Sequence, residues 1–151
     1  MAMDFEIPDP LKAEHEELHA ELIAAIDSGG AVGDAAKAVA DLLHPHFVKE
    51  EAYALPPLGL LGLLAKGEVR PEMAEVLAMT DKLRSELPNM LAEHARIVEA
   101  LGRLADAAVR EGNRQVAQFA EKLKLHAQTE EQVLYPAAIV LGDYVRLKLN
   151  K

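Results

Sequence analysis

His46-Phe-Val-Lys-Glu50-Glu51-Ala-Tyr53-Ala-Leu-Pro56 returns eighty residues later as His126-Ala-Gln-Thr-Glu130-Glu131-Gln-Val-Leu-Tyr135-Pro136. Both copies read H-x3-E-E-x4-P. A single histidine stands upstream of each at nearly the same offset, His15 before the first and His94 before the second. The i, i+4 spacing places His and Glu one turn apart on one helical face. Two such faces and two single histidines supply nitrogen and oxygen donors suited to a pair of metal ions.

The flanking sequence places each motif on a long amphipathic segment. The first segment opens with Asp9-Pro10, a cap and an N1 proline, and carries Leu11, His15, Leu18, Leu22 and Ala25 on one stripe up to Ser28-Gly29-Gly30. The second is expected to begin near Asp34, with Val39, Leu43, His46, Glu50 and Tyr53 on its stripe and Pro56-Pro57 as its stop. Pro45 predicts a kink just before His46, because it lacks the helical N–H and its ring crowds the preceding turn. Leu58 to Leu64 reads as an apolar connector, a short helix or loop packed across one end.

The third segment runs from about Pro71 to Glu111, with Leu83, Leu87, Leu91, His94, Val98, Leu101 and Ala105 on a face and a second bend at Pro88. The fourth runs from about Arg114 to Tyr135, with Val116, Phe119, Leu123, His126, Glu130 and Val133 inward. Pro136 is expected to bend or break it before a shorter helix to about Leu149. No stretch alternates with period two. The pattern predicts an all-α, antiparallel up-down four-helix bundle with a short C-terminal helical extension. It forms one domain over residues 1–151, built from pseudo-repeats at about 9–66 and 70–149.

Composition narrows the function classes. Half the chain is apolar, enough for a core, and 25 acidic against 16 basic residues give a formal charge of −9. That excess argues against nucleic acid or an anionic membrane as partner. With no cysteine, disulfides, thiolate catalysis and cysteine-ligated clusters are excluded. The acidic start, Met1 to Pro10, does not read as a signal peptide, and a cytoplasmic location is expected. No apolar run is long enough to span a bilayer.

His15, His46, Glu50, His94, His126 and Glu130 all fall in core-facing registers. A carboxylate there needs a partner, since burying an isolated charge is very costly. Imidazole plus carboxylate without thiolate suits iron, manganese or zinc. The economical assembly is dinuclear, with Glu50 and Glu130 bridging; His15 and His46 are assigned to one ion and His94 and His126 to the other, although the spacing leaves open which histidines share an ion. Each half of the chain then contributes half the site, as a duplicated helical hairpin does. A metal-free bundle with incidental histidines is the plain alternative. A ferritin-like carboxylate site fits less well, because its motif runs Glu-x-x-His.

The order H, HxxxE, H, HxxxE, one motif per helix from about His15 to Pro136, resembles the hemerythrin-like, or HHE cation-binding, proteins. The resemblance implies a non-haem di-iron centre with a bridging oxo or hydroxo group, held by His15, His46, Glu50, His94, His126 and Glu130. It further implies that the partner is a small molecule: dioxygen, hydrogen peroxide or nitric oxide. Oxygen-carrying members place two histidines four apart on the third helix. Here Met90 and Val98 stand a turn either side of His94, and some relatives with this reduced pattern decompose hydrogen peroxide.

The resemblance therefore implies binding or reduction of dioxygen or peroxide, with catalase-like turnover as one form. The alternative is iron, oxygen or nitric oxide sensing without turnover, and a redox-inert zinc site is a third reading. His19, one turn beyond His15, is a candidate fifth ligand or a residue behind the ligands. Tyr53 and Tyr135 are candidates for a hydrogen bond or ligand at the centre, or plain core-edge tyrosines. Glu51, Glu93 and Glu131 read either as groups orienting a histidine or as solvated side chains.

Overall fold

A computed structural model describes residues 5–151. Helices α1 (Asp9–Asp27) and α2 (Gly30–Lys49) form the first hairpin. A π-helical turn, Glu50–Ala54, continues α2, followed by a 3-10 turn, Pro56–Leu60, and α3 (Leu61–Ala65). A 3-10 turn at Pro71–Val76 leads into α4 (Leu77–Arg110). Then come α5 (Arg114–Thr129), a second π-helical turn at Glu130–Leu134, and α6 (Tyr135–Leu149). No strand occurs among the described residues. The fold is the all-α four-helix bundle that the apolar spacing predicts.

Local chemistry sets the links. Between α1 and α2 only Ser28 and Gly29 intervene, and Gly29 takes φ +69°, a conformation that favours glycine. The second helix begins at Gly30 rather than near Asp34. Its cap comes from far away: Glu111 at the end of α4 accepts the Ala31 N–H at 3.1 Å. Asn113 caps α5 locally by accepting the Val116 N–H at 3.1 Å. Pro45 and Pro88 lie within helices that continue past them.

Helix α2 packs most extensively on α4, α4 on α5, and α1 on α2 and α5. At 34 residues α4 is roughly 50 Å long at 1.5 Å per residue, so its first half outruns α1 and α2. That half packs on α6, where Arg146 pairs with Asp81 and Arg84 with Asp143.

The core has three layers along the axis. Leu18, Leu22, Val39, Leu43, Ile97, Leu104, Phe119 and Leu123 fill the closed end. Leu55, Leu58, Leu83, Met90 and Tyr135 form the middle, and Leu60, Met73, Val76, Leu141 and Val145 the far end. The apolar connector is thus split: Leu58 and Leu60 are core, while Leu61 is exposed. Within the described residues no helix is long and apolar enough to cross a membrane.

Two stripes differ from the sequence reading. On α4, in the turns either side of His94, Met90 and Ile97 are buried, whereas Leu91 is exposed and Val98 only half-buried. After Glu130, Tyr135 is fully buried and Val133 is exposed. The second shift is the work of the π turn. Tyr135 N–H bonds the carbonyl of Glu130, five residues back, and Leu55 N–H bonds Glu50 in the same way at 2.9 Å. One wide turn delays the inward face beyond where 3.6-residue spacing puts it.

The two prolines end differently. Pro136 falls at the junction of the π turn with α6, and the helix carries on past it. The Pro56-Pro57 pair ends the first copy in a 3-10 turn.

Candidate metal centre

The six residues singled out by the repeat converge between the first two core layers. His15, His46, Glu50, His94, His126 and Glu130 are all buried, Glu50 completely. They form two overlapping groups, each with ligand-type atoms within 4.8 Å of one another: His15, Glu50, His126, Glu130; and His46, Glu50, His94, Glu130. The histidine pairing expected from sequence is corrected here. His15 meets His126 and His46 meets His94, with ring centroids 5.3 and 4.5 Å apart.

Each glutamate serves both groups. In the first, His15 Nε2 lies 3.6 Å from Glu50 Oε1 and 3.7 Å from Glu130 Oε2, and His126 Nε2 lies 3.1 Å from Glu130 Oε2. In the second, His46 Nε2 is 3.5 Å from Glu50 Oε2, and His94 Nε2 is 3.2 Å from Glu130 Oε1. One oxygen of each carboxylate thus faces each group, the disposition a bridging carboxylate requires.

All four rings present Nε2 inward because Nδ1 is held from outside. His46 Nδ1 lies 2.7 Å from Glu93, His94 Nδ1 2.9 Å from Glu131, and His15 Nδ1 3.4 Å from Glu51. His126 Nδ1 contacts Glu14. A carboxylate on Nδ1 favours the tautomer whose proton points outward, leaving the Nε2 lone pair for a cation. The sequence left Glu51, Glu93 and Glu131 open between this role and solvation, and it passed over Glu14. A signal was present: Glu14-His15 repeats as Glu93-His94, just as Glu50-Glu51 repeats as Glu130-Glu131. The contacts obey the same repeat. His15 to Glu51 matches His94 to Glu131, and His46 to Glu93 matches His126 to Glu14.

The other candidates separate. His19 is exposed and stands outside both groups, because α1 continues its buried stripe through Leu18 and Leu22. With His15, His44 and Phe47 it lines a half-open cavity of ≈ 360 Å³ between α1 and α2. Tyr53 turns aside, its hydroxyl donating to Met90 Sδ at 3.7 Å. Tyr135 reaches the centre: its hydroxyl donates to Glu50 Oε2 at 2.5 Å and lies 3.1 Å from both His46 Nε2 and His94 Nε2. Phe47 stacks on His15, ring centroids 4.0 Å apart and planes 11° off parallel.

Without a cation the groups strain one another's ionisation. Burial and the charge of Glu130 push Glu50 up to about 7. Burial alone would lower His126, yet the adjoining Glu130, with Glu50 and Glu14, drives it up to about 9. His15 and His46 are raised against burial by the same two inner glutamates. Burial would lift Glu130, but the surrounding Glu50 and histidines hold it well below the usual carboxylate range.

Four inward atoms still lack any hydrogen-bond partner: His15 Nε2, His126 Nε2, Glu50 Oε1 and Glu130 Oε2. Buried polar atoms are ordinarily satisfied, and leaving one unpaired costs about 1–3 kcal/mol. Four of them, two nitrogen and two oxygen, facing one point, fit a cation. An imidazole and carboxylate donor set without thiolate fits iron, manganese or zinc.

A family model for the hemerythrin HHE cation binding domain matches residues 6–138, a span containing every one of these groups. No curated protein and no solved structure gives a significant match. With that match over most of its length and a buried His/Glu centre inside it, the chain belongs to the hemerythrin HHE cation-binding family.

Proposed function

We propose that this chain is a non-haem di-iron protein that binds or reduces dioxygen or hydrogen peroxide. The observation that supports this most is the doubled donor set. Two glutamates, each with one oxygen toward each of two histidine pairs, match two adjacent ions of one kind. His15 and His126 would hold one ion, His46 and His94 the other, with Glu50 and Glu130 shared. Two neighbouring irons supply the two electrons by which dioxygen and peroxide interconvert, or by which peroxide is reduced to water.

The protein's own part is positioning and exclusion. Glu14, Glu51, Glu93 and Glu131 fix the rings from outside, so the Nε2 atoms are aligned before a cation arrives. The layers of Leu, Ile, Met and Phe above and below keep bulk water from the centre. Depth sets the substrate class. The cavity between α1 and α2 reaches His15 beneath the Phe47 ring, a path suited to a small molecule and not to a bulky substrate.

The test is anaerobic loading with ferrous iron, metal analysis, then exposure to air and to peroxide. Two irons per chain and a near-ultraviolet oxo-to-iron charge-transfer band are expected. Iron bound without any such band under either oxidant sinks the redox reading. That outcome would leave the alternative of a metal-dependent sensor without turnover.

A further inference from the structure

The two halves of the centre are not equivalent, although the sequence repeat makes them so. In the His46/His94 half, the Tyr135 hydroxyl engages three of the four inward donor atoms: Glu50 Oε2 at 2.5 Å, His46 Nε2 at 3.1 Å and His94 Nε2 at 3.1 Å. In the His15/His126 half no hydroxyl intervenes: His15 Nε2, His126 Nε2, Glu50 Oε1 and Glu130 Oε2 make no hydrogen bond of good geometry and meet only one another, at 3.1 to 3.7 Å. The difference traces to one register position. Tyr135 stands five residues after Glu130, and Leu55, with no polar atom to offer, stands five after Glu50.

Access is uneven as well. The cavity between α1 and α2 is lined by His15 together with Glu16 and Glu51, two carboxylates against the one ammonium of Lys12, so its balance of charge favours a cation. The hollow beside Lys49 and Glu93 on the His46 side is lined by none of the four inner histidines.

We infer that the centre loads stepwise, the first cation taking the His15/His126 half and the second having to displace the Tyr135 hydroxyl from its place between Glu50, His46 and His94. Tyr135 is thereby a positioning and specificity-determining residue for metal occupancy. It satisfies one half of the centre when that half is empty and competes with the second cation. This inference rests on the two-metal reading above. The relief of four buried atoms without a hydrogen bond favours the first step, and the loss of the Tyr135–Glu50 hydrogen bond, with the moving aside of a buried hydroxyl, opposes the second.

The experiment is calorimetric titration of the metal-free full-length chain with Co(II), a redox-inert probe. Anomalous diffraction from crystals soaked with one equivalent then locates the ion. Two steps are expected, the second at least tenfold weaker, with the one-equivalent ion between His15 and His126. In Tyr135→Phe the second step should strengthen until the two affinities lie within about threefold. Tyr53→Phe, which removes a hydroxyl pointing elsewhere, should leave both steps as they are. Circular dichroism of each metal-free variant reports whether it is folded.

Equal affinities in the wild-type chain, or first occupancy between His46 and His94, would overturn the inference. Loss of the second ion in Tyr135→Phe would overturn it too, because the tyrosine would then be a ligand and not a competitor. Absence of any Co(II) binding would instead overturn the two-metal reading itself.

Discussion

At the scale of single residues, the centre depends on groups that never touch its middle. Glu93 and Glu131 each hold a histidine Nδ1, at 2.7 and 2.9 Å. Replacing either with Gln keeps the shape but weakens the acceptor and loosens the choice of tautomer. We expect Glu93→Gln and Glu131→Gln each to lower metal affinity by about 10–100-fold, measured by competition with a chromophoric chelator. An unchanged affinity would mean that these carboxylates only decorate the surface. Lys49 is salt-bridged to Glu93 at 2.5 Å; with the His46 ring it outweighs burial and holds that carboxyl below its ordinary range. Glu93 therefore stays an anion under the conditions in which its histidine must be oriented.

The six inner residues were legible from sequence because they lie on buried stripes in a doubled motif. The outer four were legible only as repeated doublets. Their partners sit on other helices, so spacing along one helix says nothing of them. Which histidines pair was not legible for the same reason: the partners sit on different helices.

At the scale of elements, the π turns separate what periodicity reads from what it does not. A 3.6-residue pattern carried the stripes of α1 and α2 correctly and placed Glu50 and Glu130 inside. It failed one turn further on, putting Val133 inward where Tyr135 belongs, because a wide turn shifts the register without changing composition. The start of α2 was misread because its cap, Glu111, is remote in sequence.

Close approach of α4 and α6 depends on Gly142. A Cβ built there would lie 2.3 Å from Thr80 Oγ1 and 2.6 Å from Thr80 Cβ. Gly142→Ala is expected to destabilise the fold by about 1–3 kcal/mol in urea denaturation, with Thr80→Ala in the same chain recovering part of the loss. If the double variant were no more stable than the single, the contact would not be the cause. Asn113→Ala, which removes the cap of α5, should cost about 1 kcal/mol in the same assay.

At the scale of the whole molecule, the metal-free centre couples folding to pH. Imidazoles raised above their ordinary 6.5 stabilise the fold fully below about 6.5, and that contribution is lost as pH climbs through about 9, the value for His126. Glu50 acts in the same direction. Raised from 4.5 to about 7, it keeps a proton in the folded chain that the unfolded chain has shed, so stability falls across that interval. The depressed Glu130 has the opposite sign: its contribution holds above about 4.5 and fades only toward more acid pH.

The metal-free protein should therefore melt at a higher temperature near pH 6 than near pH 9.5 in scanning calorimetry; a flat or rising trend contradicts the assignment. A bound cation competes with protons for the same nitrogens, so chelation should lower Tm more at pH 8 than at pH 6.

The crossed contacts between histidines and outer glutamates tie these scales together. His15 and His94 draw their carboxylates from within their own hairpin, whereas His46 and His126 draw theirs from the other one. Neither hairpin alone can aim its own HxxxE histidine. The pairing of the two halves is thus proofread by chemistry at the middle of the bundle: a hairpin that docks one helical turn out of step leaves two imidazoles free to rotate, and the binding pocket disappears with the error.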